Sequence, residues 1–73
     1  MSKIEKAYNR LSELERAVMD SKTHAEAKTA LAALDKETPA LKKILGAGDV
    51  AGMVETCRNF VNSPARWKVP KST

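Results

Sequence analysis

Apolar residues recur at helical spacing from the beginning of the chain, and this pattern constrains the fold more than any other feature. The run comprises Ile4, Ala7, Leu11, Leu14 and Val18, with Tyr8 and Met19 at its edges. Steps of three and four residues place the run on one side of an α-helix, as in helical bundles. The segment Ser2-Lys3-Ile4-Glu5 opens the run as a capping box, in which both polar side chains accept hydrogen bonds from unpaired backbone N–H groups. The pattern predicts a first helix that starts at this box.

Two further helices are predicted between residues 24 and 45. Thr23-His24-Ala25-Glu26 is a second capping box, so a second helix is predicted to start near residue 24 and to form a helical hairpin with the first. Thr38-Pro39 predicts a boundary, because the residue before a proline avoids helical dihedral angles and proline suits the first turn of a helix. A short third helix is therefore predicted from Pro39 to about Leu45, with one buried side that includes Ile44.

The remaining segment predicts a fourth helix and a tail. Gly46 is expected to end the third helix in a left-handed conformation, and Asp49 to cap the fourth. The apolar face of this fourth helix comprises Val50, Met53, Val54, Cys57, Phe60 and Val61, and Asn62-Ser63-Pro64 ends the helix. The expected fold is all-α: a small bundle of three to four helices, arranged as two helical hairpins. Residues 1–64 form its single domain, and residues 65–73 form a short basic C-terminal tail.

The length, charge and cysteine content of the chain limit the number of domains, the compartment and the classes of function that are expected. Seventy-three residues suffice for one domain whose core is only marginally able to hold a fold, so self-association would be stabilising. The net charge is +4, and all of the excess lies in residues 38–73. The only cysteine, Cys57, has no partner for a disulfide, and no apolar run reaches the length of a signal peptide or a membrane span. We therefore expect a cytoplasmic protein that does not engage membranes.

Residue types suited to catalysis occur singly. His24 has no nucleophile or carboxylate partner that the sequence identifies, and Cys57 falls in an apolar stripe, where a free cysteine behaves as a small hydrophobe. The Gly46–Asp49 segment lacks the preceding strand and the Lys-Ser/Thr ending of a phosphate-binding loop. A DNA-binding helix-turn-helix there would offer an acidic cap and one cation, Arg58, to the phosphate backbone. The sequence predicts no enzyme, no cofactor and no metal site.

The basic tail allows two interpretations. Arg66, Lys68 and Lys71 would neutralise phosphates while Trp67 stacks on a base, the usual combination for single-stranded nucleic acid. In the favoured interpretation, Trp67 instead folds back onto the bundle and buries its indole, and the cations serve solubility.

Protein binding is the function that remains after this elimination. Freestanding chains of this size without enzymatic residues are often regulators, inhibitors or assembly factors, including many made by phages and other mobile elements. The first helix is the expected dimer or partner surface, through Tyr8, Leu11, Leu14, Val18 and Met19. The hypothesis is an accessory module, a homodimer, that docks on a larger protein. The alternative hypothesis is a small nucleic-acid-binding protein that uses the tail.

Overall fold

The computed structural model describes residues 2–67, except for the side chains of residues 64 and 65. These residues form three long helices and one short helix: α1 (Lys3–Met19), α2 (His24–Leu45), α3 (Ala47–Val61) and α4 (Pro64–Trp67). No strand occurs in this part of the chain. The all-α prediction is confirmed, and α4 extends across the predicted boundary between bundle and tail.

The start of α1 follows the predicted capping box. The Ser2 hydroxyl accepts a hydrogen bond from the Glu5 N–H at 3.1 Å, and the Glu5 carboxylate accepts one from the Ser2 N–H at 3.1 Å. The helix ends at Met19, where the Asp20 N–H still donates to the Arg16 carbonyl at 2.8 Å. Local side-chain chemistry thus defines the N-terminus of α1, because Ser2 and Glu5 each satisfy a backbone donor that the helix leaves unpaired.

The start of α2 differs from the prediction in one hydrogen bond. The Thr23 hydroxyl accepts from the Glu26 N–H at 3.1 Å, as a capping residue does. The Glu26 carboxylate, however, accepts from the Lys22 N–H at 3.0 Å, one residue before the cap. The glutamate therefore ties down the α1–α2 connection as well as the first turn of α2.

The predicted break at Thr38-Pro39 is wrong, because α2 continues through Pro39 to Leu45. Leu34 and Leu41 lie on either side of the proline and are both buried in the same core, so packing holds the helix together across it. The Thr38 hydroxyl donates to the Leu34 carbonyl at 2.8 Å, and Pro39 itself is exposed. Tertiary packing here outweighs a local preference. The two predicted hairpins are therefore replaced by three long helices in series.

Gly46 separates α2 from α3 on its own. Its φ of 96° is accessible mainly to glycine, and it serves both as the last cap of α2 and as the first cap of α3. Its N–H donates to the Lys42 carbonyl at 3.2 Å, and its own carbonyl accepts from the Val50 N–H at 3.4 Å. Asp49 is consequently part of the first turn of α3, where its charge favours the helix dipole, and is not the predicted N-cap.

The core joins the three long helices. α2 packs extensively against both α1 and α3, whereas α1 and α3 contact each other less. The buried side chains are Ala7, Leu11, Leu14, Val18, Ala27, Leu31, Leu34, Leu41, Val50, Val54, Cys57 and Val61. No polar or charged residue is buried among residues 2–67. Apolar burial is therefore the main force that holds these helices together.

Ion pairs at the surface connect neighbouring helices. Arg10 of α1 bonds Glu37 of α2 through both carboxylate oxygens, with 2.8 Å between Nε and Oε1. Arg58 of α3 lies 3.0 Å from the Asp35 carboxylate of α2. All four side chains are partly exposed, so solvent screens both pairs and each contributes little stability. Both pairs fit an antiparallel arrangement of successive helices.

Candidate protein-binding surface

Most of the predicted interface on α1 lies in the interior of the chain. Leu11, Leu14 and Val18 are only 3%, 6% and 0% exposed. They belong to the core and have almost no surface to offer a partner while this fold is intact, which corrects the prediction for these three residues. The physical reason is that α2 and α3 cover the centre of the α1 stripe. Met19 is half-buried and packs against the same core, and only Tyr8 is well exposed.

Large apolar side chains are exposed at one end of the bundle. They are Ile4 at 54%, Tyr8 at 47% and Ile44 at 42%. Ile4 and Tyr8 are four residues apart in α1 and share one side of its first turns. Ile44 is in the last turn of α2, which lies beside the first turns of α1. Ile4 lies on the predicted apolar side of α1 and Ile44 on a side predicted to be buried, yet both are exposed, because periodicity identifies an apolar side but not how much of it is covered.

A groove runs between the first half of α1 and the last turns of α2. Its floor is apolar and consists of Ala7, Ala40, Leu41 and Ile44. Its rim is charged and consists of Lys3, Lys6, Arg10 and Glu37. We call this feature the α1–α2 groove. It joins an apolar surface to a rim of mainly one charge sign, a combination that sequence reasoning missed because the predicted break at Pro39 separated its two walls.

The rim of the α1–α2 groove carries a net positive charge. The hydrogen bonds of Arg10 with Glu37 and Glu13 raise the pKa of its guanidinium, and the same contact with Arg10 lowers the pKa of the Glu37 carboxyl. Both groups are therefore ionised and largely neutralise each other. Lys3 and Lys6 are exposed, and neither forms an ion pair with any residue that the structure describes. These two ammonium groups are the charges available to a ligand in the groove.

Trp67 docks against the opposite end of the bundle. Its indole Nε1 donates to the Val61 carbonyl at 2.9 Å and to the Phe60 carbonyl at 3.3 Å. Its ring stacks on His24 at 5.6 Å between centroids and meets the Phe60 ring edge-on at 5.4 Å. Arg66 lies over the Phe60 ring, 4.4 Å from its centroid. The predicted folding back of Trp67 onto the bundle is confirmed, and the other predicted tail contacts, Lys68 and Lys71, lie outside the described residues.

His24 and Cys57, the two residues considered for catalysis, both pack against other side chains of the bundle. His24 is half-buried under the Trp67 ring. Cys57 is fully buried, and burial, with a smaller contribution from the charge of Glu15, raises the pKa of its thiol. A buried neutral thiol is a poor nucleophile. Among residues 2–67, no group of three or more His, Cys, Asp or Glu side chains could hold a metal ion, and no helix is long and apolar enough to cross a membrane.

No protein-family profile matches this chain, and no curated protein or solved structure is significantly similar to it.

Proposed function

We propose that this protein is a non-enzymatic accessory module that binds a larger protein and acts as a regulator, inhibitor or assembly factor. The observation that carries the proposal is the exposure of three large apolar side chains at one end of the bundle: Ile44 in the α1–α2 groove, and Ile4 and Tyr8 outside it. Burying a large apolar side chain contributes about 1.5–3 kcal/mol. A chain with so small a core gains from such burial, so three exposed side chains at one end favour a surface that a partner covers.

Self-association is part of this proposal. Ile4 and Tyr8 form an exposed apolar pair on α1, outside the groove, and a second copy would cover this pair in a symmetric contact. We therefore propose a homodimer through the first turns of α1, which leaves the groove for the larger partner. Light scattering should give a dimer mass for the wild type and a monomer mass for the Tyr8→Gln variant.

The free thiol of Cys57 fits action in a reducing compartment such as the cytoplasm.

Two observations favour protein binding over nucleic-acid binding. The Trp67 indole is held by backbone carbonyls and by two rings, so stacking on a base would require the loss of these contacts. The unpaired cations Lys3 and Lys6 flank an apolar floor, which offers no hydrogen-bond donors to phosphates. Both features support a protein ligand.

The test is affinity capture of the tagged protein from a cell lysate, with and without nuclease, followed by mass spectrometry. The informative variant is the triple substitution Ile4→Gln, Tyr8→Gln and Ile44→Gln, which removes apolar surface at exposed positions and keeps good helix formers. We expect the wild type to retain a stoichiometric, nuclease-resistant protein that the triple variant loses.

The matched control places glutamine at exposed positions in the middle of α2: Thr29→Gln, Ala32→Gln and Ala33→Gln. This control should retain the partner as the wild type does. Retention that disappears with nuclease would overturn the proposal and direct attention to Arg66 and the residues that follow it.

A further inference from the structure

We propose that the α1–α2 groove binds an acidic amphipathic helix of the partner protein. The inference rests on the proposed function, which it deepens by specifying the chemistry of the partner. Two features of the groove carry it: the apolar floor and the excess of positive charge on the rim. A helix with one apolar face and acidic residues beside that face satisfies both at once.

The floor of the groove suits the apolar face of a helix. Two of its residues, Ala7 and Ala40, are small, so a docked helix approaches the backbones of α1 and α2 closely. Ile44 stands at the end of the groove formed by the last turn of α2, where it is 42% exposed. The stretch from Lys3 to Arg10 spans about 10 Å, roughly two helical turns. Apolar residues at positions i, i+3 or i+4, and i+7 of a partner helix would match this length.

Charge selects an acidic helix over other occupants. Lys3 and Lys6 are three residues apart on one side of α1, and Arg10 continues their row while it is paired with Glu37. Carboxylates on the partner helix would pair with the two lysines. A second copy placed symmetrically in the groove would set the two lysine rows against each other, and this repulsion disfavours it. A basic helix meets the same repulsion.

The test uses three synthetic peptides of about 14 residues, roughly four helical turns. The first carries leucine along one face and glutamate beside it, the second replaces glutamate with lysine, and the third keeps glutamate but replaces leucine with serine. Fluorescence anisotropy with the full-length protein measures their affinities. We expect the first peptide to bind at least tenfold more tightly than either of the others.

Variants locate the binding on the protein. Lys6→Glu should weaken binding of the acidic peptide by about three- to tenfold, because one attraction becomes a repulsion. Its matched control, Lys28→Glu, makes the same charge change on exposed surface of α2 outside the groove and should have little effect. Ile44→Gln should weaken binding by about tenfold, whereas Ile4→Gln, also exposed but outside the groove, should leave it unchanged.

The outcomes separate this inference from the proposed function. Equal binding of the acidic and basic peptides, no binding of the acidic peptide, or equal effects of Lys6→Glu and Lys28→Glu would overturn the groove assignment. If the affinity capture still retains a protein partner that the triple variant loses, the accessory function stands and uses another part of the surface. If neither experiment shows binding, both proposals fall.

Discussion

Replacing Pro39 with alanine tests the feature in which the structure departs most from sequence reasoning. In the structure, Pro39 is an interior residue of α2, 15 residues after its start at His24. A regular helix would pair the N–H of residue 39 with the carbonyl of Asp35, but proline has no N–H and its ring crowds that carbonyl. Alanine restores the hydrogen bond and removes the crowding. We therefore expect Pro39→Ala to stabilise the protein.

The expected change in the free energy of unfolding for Pro39→Ala has two opposing contributions. Proline in a helix interior is about 3 kcal/mol less favourable than alanine. The unfolded chain gains freedom when proline is removed, which opposes the effect by about 0.4–1 kcal/mol. The net stabilisation is about 2–3 kcal/mol. A domain of this size has a free energy of unfolding of roughly 4–11 kcal/mol, so one substitution would raise the stability by a large fraction.

Urea unfolding followed by circular dichroism measures this change. With a slope of about 1 kcal/mol per molar urea for a small protein, the midpoint should rise by about 2–3 M. Ala33→Gly, at an exposed position of the same helix, should lower the free energy of unfolding by about 1 kcal/mol and shows that the assay reports on α2. If Pro39 instead began a separate helix, alanine would give no gain or a small loss. An unchanged or lower midpoint for Pro39→Ala would refute the continuous helix.

Three further substitutions or reactions probe the packing. Leu34→Ala removes a fully buried side chain and should lower the free energy of unfolding by about 2–5 kcal/mol; a loss under 1 kcal/mol in urea titration would contradict its burial. Trp67→Phe removes the indole N–H from two backbone carbonyls and should cost about 1 kcal/mol in thermal unfolding, so an unchanged midpoint would mean that α4 is not docked. Burial raises the pKa of the Cys57 thiol, so the folded protein favours the protonated thiol. The contribution of this group to stability is therefore complete below the unfolded pKa of about 8.5 and is lost as the pH rises through the folded pKa. Ellman's reagent at pH 8 should therefore react slowly with the native protein and rapidly in urea.

Local interactions and apolar periodicity account for the parts of the fold that could be predicted. The caps at Ser2 and Thr23 depend on side chains within three residues of the hydrogen bonds they make. The buried faces of α1 and α3 follow from spacing alone, and Cys57 occupies the interior position that its stripe indicated. Periodicity also indicated that the helices pack as a bundle, because each has one apolar side to cover.

The sequence-based predictions were wrong where contacts between residues distant in the chain determine the structure. The preference of Thr38-Pro39 for a break is local, whereas the burial of Leu34 and Leu41 on either side depends on α1 and α3. The exposure of Ile4 was equally hidden, because apolar spacing does not reveal that α1 and α3 contact each other less than either contacts α2. A pattern in one helix identifies the side that packs, but the neighbouring helices determine how wide the covered strip is.

The continuity of α2 also determines whether the α1–α2 groove exists. Because the helix passes through Pro39 without a break, its last turns stay antiparallel to the first turns of α1 and bring Ile44 beside Lys3 and Lys6. The Arg10–Glu37 ion pair lies just before the proline in α2 and bridges the two walls at that level. A break at Pro39 would leave Glu37 beside Arg10 but would no longer hold Ala40, Leu41 and Ile44 against α1. The packing that overrides the local preference of proline therefore also creates the surface on which the proposed partner docks. A variant that breaks α2 at Pro39 should lose peptide binding, while the capped start of α1 remains helical.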